Sequence, residues 1–514
     1  ILGNATLNSE PGETAIEGIP TTETSGLYGG DDDTDNSGIF RYVSIRHGST
    51  NIGAGNESNG LTMGGVGSGS TIEFVEVFNG ADDGFEWFGG TVNTKWLISA
   101  YNDDDAFDYD EGWRGQNQFW LAVQVNEGGI DSDRGGEHDG GTSPETGSPF
   151  ATPVIYNATF VGGGDAAAKR TITFRDNAGG EYHNSIFTEY GRGVDVEKLA
   201  SGEHSFSRLQ NGDLKLENNI FWNVADNVAA NIFSVGVDGD AADETFIDIY
   251  FTDNGNTNVN PGLQGISRTR DGGLDPRPGD ISAYSGLGAI PSGGFFSEVN
   301  FKGAFGSSTN LWAAGWSYLD ALGFFPETPA AITLPSAKVQ IIHNSGDPDA
   351  RLVQISVNGE VAVEKLAYRE ATPFVEIPAG TAVVTVGVFN GDEDEIVASV
   401  DFSLELAADE NYVVAATGVL SPDDFATNPD GTSIAFDLAV LAGARETGQL
   451  GAGTLDFQLF HGATDAPAVD VLAGQFPLIS NIAYKSFLPD YIGATAGTIN
   501  LSVAPTGTNN VVAT

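Results

Sequence analysis

The stretch Thr71-Ile-Glu-Phe-Val-Glu-Val-Phe-Asn79 runs into Asp82-Asp-Gly-Phe-Glu-Trp87, and the next stretch, residues 94–102, runs into Asp104-Asp-Ala-Phe-Asp-Tyr109. Asp82 to Asp104 and Phe85 to Phe107 are both 22 residues. A second echo is Asn-x-x-Phe, at Asn157 and Phe160, Asn184 and Phe187, Asn218 and Phe221, with steps of 27 and 34 residues. Local patterns that recur in one chain direction, at variable periods of about 20–35 residues, mark a solenoid with insertions on some coils. Coils of a parallel β-helix stack at about 4.8 Å. The echoes therefore predict ladders, with Phe85 over Phe107 inside and Asn184 beside Asn157 and Asn218 at a corner. Strand-like runs at 40–45, 71–78, 95–101, 119–125, 154–160, 181–187 and 214–224 supply the coils. An antiparallel sandwich would instead show hairpin turns every 8–12 residues or so.

Around this core the chain is all-β in texture. Gly accounts for 69 of 514 residues without a period of three, which suits many tight corners. Residues 236–300 are polar and Pro/Gly-rich. Leu311-Trp-Ala-Ala-Gly-Trp-Ser-Tyr-Leu-Asp-Ala-Leu322 is the best helical stretch, expected to cover the open end of the solenoid. After residue 336 clean alternation begins, at 339–343, 353–357, 381–388 and 412–416, with Asn358-Gly359 as a hairpin signal. This segment repeats itself: Val339-Gln-Ile-Ile-His343 matches Phe457-Gln-Leu-Phe-His461 at an offset of 118, and Ala367-Tyr368 matches Ala483-Tyr484. The predicted fold class is a right-handed parallel β-helix followed by two antiparallel β-sandwich modules. The expected divisions are 1–325 for the β-helix with a C-terminal cap, 326–336 for a linker, 337–446 for the first module and 455–514 for the second. The first coils of the helix and the last strands of the second module are expected to lie outside this chain.

The net charge is −49, from 71 Asp and Glu against 22 Lys and Arg. Such a surface repels phosphate backbones and anionic membranes, which excludes nucleic acid as a partner. It fits either a high-salt habitat or carboxylates partly neutralised by Ca²⁺. No apolar run approaches membrane-spanning length, and Cys is absent.

Two families are recognisable at this point. Leu27-Tyr-Gly-Gly-Asp31, Asn59-Gly-Leu-Thr-Met-Gly-Gly-Val-Gly-Ser-Gly69, Asp82-Asp-Gly-Phe-Glu-Trp-Phe-Gly-Gly-Thr-Val-Asn93 and Gly294-Phe-Phe-Ser-Glu-Val-Asn-Phe-Lys-Gly-Ala-Phe305 resemble a secreted β-helix family of Bacteroidota and other marine bacteria. The resemblance implies a lipoprotein or type IX secretion cargo, extracellular or on the outer cell surface, with no assigned activity. His461, Asp465-Ala-Pro-Ala-Val-Asp470 and Ala483-Tyr484 resemble the domain-of-unknown-function family 4397, an Ig-like sandwich of cell-envelope proteins.

The densest carboxylates are Asp82, Asp83, Glu86, Asp103, Asp104, Asp105, Asp108 and Asp110, with Asp131 and Asp133 further on. If the 22-residue register holds, Asp82 and Asp83 adjoin Asp104 and Asp105. Like charges about 4 Å apart cost on the order of 4 kcal/mol at an effective dielectric of ~20. Protonation, a base or a cation must relieve that cost, and Ca²⁺ with its hard oxygen ligands is the natural cation. The alternative is a solvated ladder of Asp turns. Asp131-Ser-Asp-Arg-Gly-Gly-Glu-His-Asp139 is taken as a coil insertion, and the repeated His343 and His461 as packed structural side chains. Trp87, Trp96, Trp113 and Trp120 fit either a core ladder or sugar-stacking platforms. Gly-His-Gly and Arg-x-Lys, which a polygalacturonase needs, are absent. The expected function is non-catalytic: an extracellular structural or adhesive protein, such as a filament, sheath or envelope component, meeting other copies of itself or other envelope proteins. The alternative is a polysaccharide-binding or polysaccharide-degrading β-helix.

Overall fold

The computed structural model describes residues 1–514 apart from 54–55, 142–143, 165–167, 293, 307–310, 330–333, 391–394, 450, 475, 509 and 514, with 51–53, 56–57 and 360 described by backbone alone. The chain divides into two compact units, Ile1–Thr333 and Leu334–Thr514.

The first unit is a parallel β-helix of two long sheets that the chain visits alternately. Sheet one has seven strands: Leu61–Gly64, Phe85–Phe88, Phe107–Asp110, Gly136–Asp139, Arg170–Arg175, Arg192–Lys198 and Phe233–Val237. Sheet two has ten, beginning with Ile39–Arg46, Thr71–Phe78, Thr94–Ala100 and Gln116–Val123. Beyond these it bends into the pairs Val154–Tyr156 with Thr159–Gly164, Gly180–His183 with Ile186–Tyr190, and Leu214–Glu217 with Ile220–Val224. All pairings within both sheets are parallel, and the register reproduces the sequence echo: Phe107 is opposite Phe85 and Leu97 is opposite Val75.

Side chains that alternate inward fill the bore. Phe85 stacks on Phe107 at 5.5 Å, Phe107 on Trp120 at 4.3 Å, and Trp87 on Trp113 at 4.3 Å. Trp87, Trp113 and Trp120 are fully buried. They are core, not sugar platforms.

The Asn ladder is real and longer than the echo suggested. Asn157, Asn184 and Asn218 hold left-handed φ of 57°, 50° and 58° at the bend of sheet two. The same register position in the earlier coils is filled by Tyr42, Phe74, Trp96 and Phe119, with φ of 56°, 53°, 58° and 63°. These rings stack on one another at 4.6, 4.4 and 5.8 Å.

The helix expected at 311–322 shortens to Tyr318–Ala321, and it does not close the solenoid. Gly315 breaks it at φ 86°. The segment lies instead along the outer face of sheet two. The buried Glu76 carboxylate accepts hydrogen bonds there from Tyr318 N and Leu319 N at 2.7 and 3.0 Å. Phe305, Leu311, Ala313 and Leu319 form a second core with Phe78, Ile98 and Leu121. The last coil is covered by a helix in the region read as merely polar, Ala241–Asp253. Asp240 caps its first turn, and Phe251 packs on Phe221 and Phe233 at 5.9 and 5.1 Å.

In the second unit, the first module is two four-stranded sheets. One orders Val375–Pro378, Ser336–His343, Asn411–Thr417 and Asp437–Ala442; the other orders Glu360–Ala367, Leu352–Val357, Gly380–Phe389 and Ile396–Leu406. Val339, Ile341 and Val414 from one face meet Ile355 and Val386 from the other. Two details depart from expectation. Ser336–His343 pairs parallel with Asn411–Thr417, so the sandwich is not wholly antiparallel. The linker expected at 326–336 ends one residue earlier, because Ser336 already belongs to a strand, while 330–333 lie outside the described residues. Asn358 and Gly359, with φ of 50° and 85°, make the hairpin turn.

The second module repeats the first through Val469–Ala473, Phe476–Ile482 and Leu501–Pro505. Its histidine repeats to the ångström. His343 Nε2 bonds to Ala350 O at 2.6 Å and the ring lies 6.1 Å from Tyr368 at 74°; His461 Nε2 bonds to Pro467 O at 3.0 Å and lies 6.2 Å from Tyr484 at 74°. Both histidines are buried brackets for the turn that follows the first strand.

Candidate metal centre and the charged face of sheet one

The outer face of sheet one is laid out in register columns. The position two residues before each inward Phe or its equivalent carries Asn59, Asp83, Asp105, Arg134, Arg170 and Arg192 in successive coils. Next to it, at the tight corner, sits a small residue. A Cβ on Gly84 would meet Ser99 Oγ at 2.2 Å and Ala106 O at 2.7 Å, which accounts for the Asp-Asp-Gly-Phe motif. A second column runs Glu86, Asp108, Glu137, Thr173 and Asp195.

The carboxylates gather as the 22-residue register implied. Asp82, Asp83 and Asp104 form one group, Asp83, Glu86 and Asp108 a second, and Asp104, Asp105 and Asp133 a third, with ligand oxygens of each group within 4.8 Å of one another. Seven of the ten expected residues are thus brought together. Asp103, Asp110 and Asp131 are not. Asp103 Oδ1 accepts from Asp131 N at 2.6 Å, Asp110 turns back on Glu111 N, and Asp131 points to solvent, held below the usual carboxylate range by the Asn126 amide and then by Lys169.

Electrostatics separate the upper coils from the lower. Burial, reinforced by the neighbouring carboxylates, pushes Asp83, Glu86 and Asp108 well above the ordinary carboxylate range. Among the described residues no Lys or Arg pairs with these three, and Asp108 Oδ1 is buried without a hydrogen-bond partner. Asp83 Oδ1 accepts from Asp105 N at 2.9 Å, and Glu86 accepts from the Asn59 amide.

One coil lower, Arg134 Nη1 sits 3.1 Å from Asp105, 3.1 Å from Asp133 and 2.9 Å from Glu137. Burial opposes its charge, but these three carboxylates hold the guanidinium more firmly protonated than usual. Arg175 then grips Asp139 through two bonds of 2.7 and 3.0 Å. Burial still raises Asp139 to about 6.

Asn59, Arg134, Glu137, Asp139 and Arg175 escaped the sequence reading because Asp131–Asp139 looked like an insertion. Its second half, Gly136–Asp139, is a full strand of sheet one. The signal was there: Gly136-Glu-His-Asp139 alternates like Phe85-Glu-Trp-Phe88, with a Gly in the aromatic place. His138 is core, stacked 4.1 Å from Tyr109, with burial pushing its pKa down to about 3. Arg114, close to the carboxylates in sequence, pairs with Asp33 at 3.0 Å.

A family model for a pectate-lyase-like β-helix domain matches residues 1–261. The chain belongs to that family. A second model, the domain of unknown function DUF4397, matches residues 337–439, the first sandwich module. No curated protein matches the chain. Among the described residues no helix is long and apolar enough to cross a membrane.

Proposed function

We propose that this β-helix protein is an extracellular, non-catalytic structural or adhesive component whose upper coils bind Ca²⁺. The supporting observation is the stack of buried carboxylates Asp83, Glu86 and Asp108, which repel one another and have no Lys or Arg ion-paired to them among the described residues. The donors fit a hard cation: all are carboxylate oxygens, several from successive coils, with no thiol or imidazole among them. Asp82, Asp83, Asp104, Glu86 and Asp108 would hold the ion, and the ion would supply the positive charge that the coil stack lacks. Binding only to the folded state stabilises it by RT ln(1 + [L]/Kd), about 2.7 kcal/mol at a hundredfold excess over Kd. Melting of the full chain in CaCl₂ against EGTA tests the reading. A rise of several degrees with Ca²⁺, smaller with Mg²⁺, is expected; an unmoved melting temperature sinks it.

Polysaccharide contact is the second reading, favoured by membership of a pectate-lyase-like family. Degradation is a poorer fit. Arg134 and Lys169, which meet the carboxylates of the third group, are both held protonated by them, so neither is ready to accept a proton as a lyase base must.

A further inference from the structure

The charged column ends in two rungs of opposite sign to its beginning. Arg170 and Arg192 are paired in register on neighbouring parallel strands. Like charges on adjacent rungs repel unless a counter-charge answers them. Asp195 answers one of them, 3.1 Å from Arg170 Nη1, while it also accepts from Ser234 Oγ at 2.7 Å. Arg192 is exposed and has no ion pair among the described residues, in a chain where 71 acids face 22 bases.

Both guanidiniums border an open cavity of about 290 Å³ that Asp226, Asn231 and Ser234 also line. Its wall is a strained turn: Ala225, Asp226 and Asn227 take φ of 50°, 57° and 57° in succession. Left-handed backbone strains a non-glycine residue. The segment that follows the turn lies hard against the strand beside Arg192, where a Cβ on Gly193 would lie 1.7 Å from Ile232 O.

We infer that this cavity binds an anionic sugar residue, its carboxylate or sulfate on Arg170 and Arg192 and its hydroxyls on Asp226 and Asn231. A bare oxyanion would fill only part of the space and would meet the Asp226 carboxylate, whereas a sugar hydroxyl donates to it. Guanidinium is the donor suited to planar or tetrahedral oxyanions. The inference rests on the polysaccharide reading and is independent of Ca²⁺.

Calorimetric titration of the full chain, in CaCl₂ and again in EGTA, tests it with three oligosaccharides of one length: oligogalacturonate, a sulfated galactan and the uncharged galactan, with sodium sulfate alone as a fourth probe. At least one anionic oligosaccharide binds, about tenfold or more tighter than the uncharged one, and Arg192→Ala and Arg192→Gln each weaken it about tenfold or more while melting as the parent does. Which anionic arm binds names the acidic group. Equal binding of uncharged galactan, sulfate alone competing at the saccharide's own concentration, indifference to both Arg192 variants, or no binding of any oligosaccharide overturns the assignment. Binding that survives EGTA while the melting temperature ignores Ca²⁺ separates this site from the metal reading.

Discussion

Two columns of side chains run down the β-helix, and the chain finishes them differently. On sheet two the left-handed column passes from Tyr42, Phe74, Trp96 and Phe119 to Asn157, Asn184 and Asn218. Nearly every rung meets the returning segment of the same unit. Trp316 stands edge-on to Tyr42 and Phe74, Phe301 stacks on Phe119, the Asn157 amide donates to Phe301 O at 2.7 Å, and Asn184 exchanges two bonds with Gly288. On sheet one the column passes from Asp83 and Asp105 to Arg134, Arg170 and Arg192; Arg134 meets Asp105 and Arg170 meets Asp195, while Asp83 and Arg192 have no ion pair among the described residues. Stacking at about 4.8 Å multiplies whatever each rung carries. A column whose needs are met inside the chain is architecture. One left with an unpaired acid at one end and an unpaired Arg192 at the other, among the described residues, is where ion and ligand binding are proposed.

The sharpest way to break that distinction is to disturb the satisfied column. Asn184 Nδ2 donates to Gly288 O at 2.9 Å and its Oδ1 accepts from Gly288 N at 2.8 Å, from a fully buried position at φ 50°. Asn184→Ala strands both backbone groups and puts Ala where only Asn or Gly is comfortable, so a loss of about 2–4 kcal/mol is expected in urea unfolding. A loss under about 1 kcal/mol would mean that the returning segment is held elsewhere, chiefly through Glu76.

The unsatisfied column responds to protons instead. The folded-state pKa values of Asp83, Glu86, Asp108 and Asp139 are raised by burial, that of Asp139 to about 6 despite Arg175. A raised carboxyl binds protons in the folded state that the unfolded chain has already released, so stability falls as pH rises through this range. Buried His138, lowered to about 3, works the other way and opposes folding by about 2 kcal/mol at pH 5. In EGTA the carboxylate part is therefore read as the difference between the parent and Asp83→Asn, on which the parent should gain about 1–2 kcal/mol between pH 8 and pH 5. Glu181 does not confuse the window. Burial would raise it, but His183 and Lys215 pull it down to about 2, so its contribution is lost only below the ordinary glutamate range. In CaCl₂ the slope should flatten or reverse, because the metal needs ionised ligands. If the parent instead gains on Asp83→Asn as the pH is raised in EGTA, the crowding of these carboxylates is contradicted.

Asp83→Asn carries the comparison into one rung. It removes a charge while keeping an oxygen to accept from Asp105 N, so in EGTA it should be neutral to stabilising by about 1 kcal/mol. The same variant should abolish most of the Ca²⁺-dependent rise in melting temperature. Destabilisation in EGTA together with an intact Ca²⁺ response would place the ion away from Asp83.

The repeat that reveals sheet one also explains what stayed hidden. Phe85 and Phe107 were legible because two adjoining coils use the same inward aromatic and the same Asp-Asp before it. The next coil substitutes Gly136 and His138, and twelve residues of loop, 124–135, precede it, so the register was lost where Arg134 and Glu137 enter the site. The left-handed column was half legible. Asn is the expected residue at positive φ, whereas Tyr42, Phe74, Trp96 and Phe119 look like ordinary strand residues, and only the skipped register on either side exposes them. The helix at Ala241–Asp253 was missed because a polar, acidic composition masked its two inward residues, Ile247 and Phe251. The opposite error at 311–322 came from apolar residues that bury by lying on a sheet, with no helical period required.

The gentlest test lies at the end of the aromatic run. Tyr42 is 59% exposed, with φ 56°, stacked on Phe74 at 4.6 Å and edge-on to Trp316 at 5.9 Å. Tyr42→Asn loses an aromatic contact of about 0.5–1.5 kcal/mol. It gains a residue that tolerates left-handed backbone, a relief of similar size. The net change should lie within about 0.5 kcal/mol of zero. Phe119→Asn at the buried end of the same run, where only 6% of the residue is exposed, should by contrast cost about 3 kcal/mol, since the lost burial then outweighs the same backbone relief. If Tyr42→Asn proves as costly as Phe119→Asn, the exposed ring is buried by something in solution, and the satisfied column also has an external partner at its open end.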